Sequence, residues 1–193
     1  MSNSFIVNAG TQYGASEGKL NNHFTQIAKE LFESNGHQVQ VTRVEDAYDA
    51  EAEVQKILWA DTIIYQMPAW WMGAPWTLKK YIDEVFSVGY GQIFDNDGRT
   101  RSDPSRKYGS GGLLQGRNYM LSVTWNAPLE AFVEPEQFFD GQGVDPVYYS
   151  FHKANEFVGL SKLPTFMSND VIKQPEIEAD TLRYQQHLKQ FFL

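Results

Sequence analysis

Apolar positions along this chain of 193 residues fall into two alternating rhythms. Continuous apolar runs at residues 4–9 (SFIVNA), 61–67 (DTIIYQM) and 118–125 (NYMLSVTW) read as strands buried on both faces. Residues 37–44 (HQVQVTRV) alternate like a strand, and residues 162–168 (KLPTFMS) supply a fifth. Between these runs the spacing changes to three and four. Leu20, Phe24, Ile27, Ala28, Leu31 and Phe32 share one face of a helix over 20–35, stopped by Gly36. Residues 49–60 form a second helix. Pro75 sits where a first helical turn tolerates proline, and Leu78, Tyr81, Ile82, Val85 and Phe86 repeat at helical spacing through 76–86. A further helix over 178–192 closes the chain.

Strands alternating with helices imply right-handed crossovers and a parallel sheet covered on both faces. Five strands in this length predict an α/β doubly wound sheet in the order 2-1-3-4-5. No internal repeat or low-complexity linker divides the chain, which reads as a single domain over 1–193. The polar, glycine-rich insertion at about 87–117 is a functional excursion rather than a boundary.

Composition narrows the chemistry. At 42% apolar and 21% charged the chain can bury a sizeable core. Without cysteine it has no disulfide, thiol nucleophile or thiolate metal site. His23, His37, His152 and His187 are too scattered for a structural zinc. A net charge of −8 argues against nucleic acid as a partner. No apolar run approaches the ~20 residues of a membrane span. The N-terminus lacks the pattern of a signal peptide, so a cytoplasmic protein is expected.

In such sheets ligands bind beyond the carboxyl ends of the strands, near the switch in strand order. Three loops leave from those ends. The first, GTQYGASEGKL, offers Gly14, Ser16 and Gly18 ahead of a helix N-terminus whose free N–H groups favour phosphate. It is neither a Walker loop nor a dinucleotide fingerprint: Leu20 follows Lys19, and Tyr13 stands where a first glycine belongs. An ordinary turn with an N-cap explains the same residues equally well. The second loop, MPAWWMGAPW (67–76), carries Trp70, Trp71 and Trp76, with prolines and Gly73 that forbid a regular element through most of it. Trp76 and one other tryptophan could pack against the following helix. Adjacent Trp70 and Trp71 diverge, however, so at least one should line a cleft. The third, TWNAPLEAF, sets another aromatic beside a polar turn. Two aromatic loops around a phosphate-type loop suit a large planar, phosphorylated cofactor. Flavin fits better than a bare nucleotide.

At this point a resemblance enters. The spacing P-x-x-W-x-x-x-P-x-x-x-K-x-x-x-D-x-V-F is carried by Pro68, Trp71, Pro75, Lys79, Asp83, Val85 and Phe86. Together with KYGSGGLLQG, YMLSVTWNAP and SFHKANEFVG, it resembles the flavodoxin-like NAD(P)H:quinone oxidoreductases over almost the whole chain. The resemblance implies a flavodoxin-like fold and a homodimer with tightly bound FAD at the subunit interface. NADPH would be the hydride donor and a quinone the substrate, in a two-electron, ping-pong reaction through flavin N5. The flavin would carry the chemistry, so no catalytic residue of the protein is expected.

Carried over position by position, Ser16, Glu17, Gly18, Lys19, Leu20, Asn21, Asn22 and His23 would hold the phosphates and adenosine side. Ala69, Trp70, Trp71 and Met72 would line the isoalloxazine. Tyr108 would come from the insertion, and Thr124, Trp125, Asn126 and Ala127 would complete the pocket. Phe138, Phe139 and His152 would line the quinone site, although half-core phenylalanines and a structural histidine account for them as well. Ala15 replaces a histidine and Ala69 a glycine of the family pattern, which bears on phosphate contact and on crowding of the flavin. Arg117 stands for a common lysine. Arg106, Lys107 and Arg117 are the basic residues available to a 2′-phosphate. Two other readings remain: an FMN-binding electron carrier, and a flavin-binding redox sensor without turnover. The aromatic cleft and long insertion favour an enzyme.

Overall fold

The computed structural model describes residues 2–14 and 16–192. Ala15, one of the departures from the family pattern, lies outside the described residues. Strands β1 (Asn3–Asn8), β2 (Gln38–Arg43), β3 (Thr62–Pro68) and β4 (Asn118–Thr124) pair in parallel in the order β2-β1-β3-β4. Every residue of β3 is buried, as its unbroken apolar run predicts. The expected fifth strand is two short pieces, β5 (Ser161–Lys162) and β6 (Phe166–Ser168), both paired with β4. Leu163 still donates to the Tyr119 carbonyl at 2.8 Å. Pro164 has no N–H to continue the ladder, so the strand breaks there and resumes two residues on.

Helices α1 (Lys19–Ser34) and α6 (Ile177–Phe192) lie together against one face of the sheet. They bury Ile6, Ile64 and Met120 beneath Phe24, Ala28, Phe32, Tyr184 and Leu188. The opposite face, carrying Phe5, Val7, Ile63, Tyr65, Leu121 and Val123, packs beneath α2 (Ala50–Trp59) and α3 (Trp76–Val88). A short helix α4 (Glu130–Val133), a 3-10 turn (Asp145–Tyr148) and helix α5 (Tyr149–Phe157) complete that layer. Helix α5 does not stand out in the sequence pattern. It supplies the crossover between β4 and β5, burying Phe151, His152 and Asn155.

Helix α1 starts at Gly18, whose φ of 67° has no side-chain cap, whereas α2 is capped by Asp49, which accepts from the Ala52 N–H at 2.8 Å. Among the described residues, no helix is long and apolar enough to cross a membrane.

Candidate active site

Strand β1 ends at Asn8, and the chain then doubles back on itself before α1. The Asn8 Oδ1 accepts the Gly10 N–H at 2.8 Å, and its Nδ2 donates to the Asn22 Oδ1 at 2.8 Å. A Cβ built on Gly10 would lie 2.6 Å from the Asn21 Cβ, and one on Gly18 would lie 3.0 Å from the Gly10 carbonyl carbon and oxygen. The loop is thus pinched shut, backbone against backbone, where only glycine fits. The first turn of α1 holds no acidic side chain. Its N–H groups and the positive end of its dipole therefore face the space above the sheet, the arrangement that binds phosphate.

Beneath that helix start the strand ends are polar. Asn8, Gln66 and Ser122 stand side by side in register on the α1 face. The Gln66 Nε2 donates to the Asn21 Oδ1 at 2.9 Å, and the Asn21 Nδ2 donates to the Thr124 Oγ1 at 3.2 Å. This buried network welds α1 to β3 and β4. It also leaves the Gln66 Oε1 buried without a partner. None of Asn8, Gln66 or Ser122 is legible as a site residue, because each sits inside an apolar strand run. The available signal is that a polar residue closes the apolar stretch at a strand's carboxyl end.

The facing wall follows β3. The Ala69 N–H donates to the Thr124 carbonyl at 2.9 Å, and the chain then reverses within four residues. Trp70 and Gly73 exchange both backbone hydrogen bonds, at 3.0 and 3.1 Å, while Trp71 and Met72 between them have φ of 45° and 62°. Positive φ at both central positions is the pattern of a type I′ turn, which favours glycine and asparagine there. Holding tryptophan and methionine in it costs about 1–2 kcal/mol each. The strain aims the two tryptophans apart. Trp70 turns into the cleft, its ring 5.3 Å from that of Tyr13, while Trp71 stands 97% exposed at the rim. Backbone strain that secures an exposed aromatic belongs to a ligand site more readily than to a core.

The cleft so formed has a volume of about 400 Å³. The structure brings to it Ser16, Glu17, Gly18, Lys19, Leu20, Asn21, Ala69, Trp70, Thr124 and Asn126, all expected from the sequence, and adds Pro68, Val171 and Ile172. The last two come from the loop between β6 and α6, whose role the sequence does not announce. Asn126 holds that loop: its Oδ1 accepts the N–H of both Ile172 and Lys173 at 3.2 Å, which leaves its amide Nδ2 as the donor.

Other expected residues lie elsewhere. Asn22 is tied to Asn8, and His23 sits 2.9 Å from the Thr181 hydroxyl on the outer side of α1. The Trp125 ring is buried edge-on against Phe132, Phe139 and Tyr148, so it is core rather than cleft lining; Thr124 faces α1, and the next residue must face the other way. Ala127 packs against the same core and accepts the Asp170 N–H at 3.0 Å. Met72 lines a second cavity behind the turn. Tyr108 packs its ring on Phe157, with Arg99 over it, in the insertion. Phe139 stacks on Phe132 at 4.3 Å, whereas Phe138 is exposed. Trp76 is not buried against α3 but exposed at its start.

His152 lies on the other side of the sheet. It is buried between the Tyr119 hydroxyl, 2.8 Å from Nδ1, and the Asp145 carboxylate, 3.3 Å from Nε2. That histidine first, with Lys162 and Thr165, holds the Asp145 carboxyl well below the usual carboxylate range. Arg117 bonds the Ala60 carbonyl behind the sheet, at the end of β4 remote from the cleft, and is no partner for a ligand phosphate there.

The family described as flavodoxin-like fold matches residues 2–190. NADPH:quinone oxidoreductase MdaB (modulator of drug activity B) of Haemophilus influenzae is 50% identical over 98% of this chain and 99% of its own. An uncharacterized protein of Schizosaccharomyces pombe is 51% identical over 97% of this chain and 95% of its own. Among solved structures, general stress protein 14 of Treponema denticola, in complex with FMN, superposes with a TM-score of 0.71 at 20% identity, covering 98% of this chain and 99% of that one. That likeness is one of fold.

Proposed function

We propose, because this chain belongs to the flavodoxin-like family, that it is an FAD-dependent NADPH:quinone oxidoreductase. The observation that carries the reading is a single cleft at the strand switch point into which both the uncapped start of α1 and the Trp70 ring face. The half-identical relative over nearly the full chain supports the activity.

The residues present fit a flavin. The pinched glycine loop and the first-turn N–H groups of α1 would hold phosphate, and Trp70, Ala69 and Pro68 would flank the flat ring. The Asn126 amide and the N–H groups near it would face the ring's acceptor atoms. Bound there, the flavin supplies a two-electron carrier between NADPH and quinone. The chain positions the partners, offers hydrogen-bond donors where charge develops, and keeps the site poor in water. Val171 and Ile172 join the cleft wall from the loop between β6 and α6. FAD rather than FMN is the flavin that the resemblance implies.

The test is direct. The purified protein should be yellow, release FAD on denaturation, and oxidise NADPH steadily when menadione is added. FMN alone in the supernatant, without menadione turnover, would favour the electron carrier instead.

We also propose a homodimer with shared sites. Trp71, Tyr108, Leu113 and Phe138 are exposed, large and apolar, and a second copy would cover them while closing the open side of the cleft. Sedimentation of the flavin-loaded protein should give twice the 22.1 kDa chain mass. A monomer with undiminished specific activity on dilution would refute the shared site.

A further inference from the structure

The cleft wall contributed by Val171 and Ile172 is held by a seam between two loops. The Trp125 N–H donates to the Ser168 carbonyl at 2.9 Å, and the Val171 N–H donates back to the Trp125 carbonyl at 3.3 Å. The Asp170 N–H donates to the Ala127 carbonyl at 3.0 Å, with Asp170 held at a φ of 50°. In the middle of this seam Asn126 joins through its side chain. Its Oδ1 takes the successive N–H groups of Ile172 and Lys173, both at 3.2 Å. Two adjacent N–H groups converging on one oxygen form the concave backbone site that ordinarily takes an anion.

Two donors can be met only by the oxygen of the asparagine, so the orientation of its amide is fixed. The amide nitrogen then points away from the loop. Asn126 is exposed and lines the cleft, which leaves that nitrogen for a ligand. Ile172 lines the same cleft and is 74% exposed, so its aliphatic surface leaves water only when a ligand lies against it.

We propose that Asn126 is a positioning residue that couples flavin retention to the loop between β6 and α6. Its oxygen sets Val171 and Ile172 against the bound flavin, and its nitrogen donates to the same flavin. The proposal rests on the flavin reading above. Removing the whole side chain has two consequences, one direct and one through the loop. Without the oxygen, the Ile172 and Lys173 N–H groups turn to water and Ile172 loses its fixed place in the wall. Losing the nitrogen alone leaves the loop where it is.

Single variants separate these effects. Asn126→Asp keeps an acceptor for the paired N–H groups and holds them at least as well, because a charged acceptor bonds more strongly. It has no donor for the flavin. Asn126→Ala has neither group, and Ile172→Ala trims the wall while leaving the clamp. Hydrogen exchange at saturating flavin, read by NMR, should find the Ile172 and Lys173 amides equally protected in the parent and in Asn126→Asp. In Asn126→Ala they should exchange roughly ten-fold faster.

Flavin release on dilution, followed by flavin fluorescence, gives the second readout. High salt screens the carboxylate of Asn126→Asp from the flavin phosphates. Release should be about five-fold faster in Asn126→Asp and in Ile172→Ala, and about 25-fold faster in Asn126→Ala. The double variant Asn126→Ala/Ile172→Ala should release flavin no faster than Asn126→Ala, because its wall has already left the ligand. A further five-fold acceleration in the double variant would mark two independent contacts and overturn the coupling. So would amides that stay protected in Asn126→Ala, and either result would leave flavin binding standing. A parent protein that takes up no flavin would overturn the flavin reading itself, and the coupling with it.

Discussion

Gly18→Val should strip the protein of flavin and lower its unfolding free energy by about 2–4 kcal/mol. Two separate physical costs combine at this position. With φ at 67°, Gly18 occupies a left-handed conformation that a β-branched residue reaches only with strain. Its new Cβ would also sit 3.0 Å from the Gly10 carbonyl group, which is backbone and cannot rotate away. The loop must then open, moving the start of α1 off the cleft. Gly36→Ala separates the two costs. Gly36 has φ of 79°, but a Cβ there meets nothing within 4 Å, so strain acts alone at about 1 kcal/mol. Urea unfolding gives the stability of each variant, and absorbance of the purified protein gives its flavin content. A Gly18→Val protein that keeps its flavin and loses no more stability than Gly36→Ala would dismiss the pinched loop as the phosphate cradle.

The sheet is legible because β1, β3 and β4 are largely apolar runs buried on both faces, a pattern a parallel sheet between helices enforces. The strand order follows from the alternation of elements. Two features elude that reading. Pro164 divides the last strand into β5 and β6, and periodicity does not register the loss of one N–H. Helix α5 escapes because two of its three buried residues, His152 and Asn155 beside Phe151, are polar: Asn155 is fixed by the Tyr65 hydroxyl at 2.9 Å and by its own bond to the Phe151 carbonyl at 3.0 Å.

At the site, the loop from strand one and the tryptophan turn are legible because glycine, proline and clustered tryptophans have few other uses in a loop. The direction of the Trp125 ring is not legible from its neighbours. Trp125 neighbours polar residues in sequence, yet strand alternation sends it to the face opposite Thr124. Val171 and Ile172 are invisible beforehand, since only the fold brings the β6–α6 loop beside α1.

Lys56→Met should destabilise the protein by about 2–3 kcal/mol and leave the flavin cleft intact. Glu53 of α2 is 2% exposed, and its carboxylate has two partners: Lys56 Nζ at 2.5 Å and the Tyr81 hydroxyl of α3 at 2.7 Å. Burial first, and the Glu53 charge next, hold the Tyr81 hydroxyl far above its usual titration range, so it stays a donor. Lys56 also donates to the Thr42 hydroxyl of β2 at 2.7 Å, tying α2 to the sheet. Methionine keeps the packing of the lysine stem but leaves a buried carboxylate with one neutral donor. Breaking a fully buried pair typically costs about 3–5 kcal/mol, and the lower figure here reflects solvent reaching the partly exposed lysine. The double variant Glu53→Gln/Lys56→Met removes the orphaned charge and should recover at least half of the loss, since glutamine can still accept from Tyr81. Because this network lies beneath α2 and α3, while the α1 side of the sheet carries the polar floor of the cleft, flavin content should not change. Urea unfolding of the parent, Lys56→Met, Glu53→Gln and the double variant completes the cycle. A double variant no more stable than Lys56→Met alone would mean that the lysine acts through packing and not through the Glu53 charge.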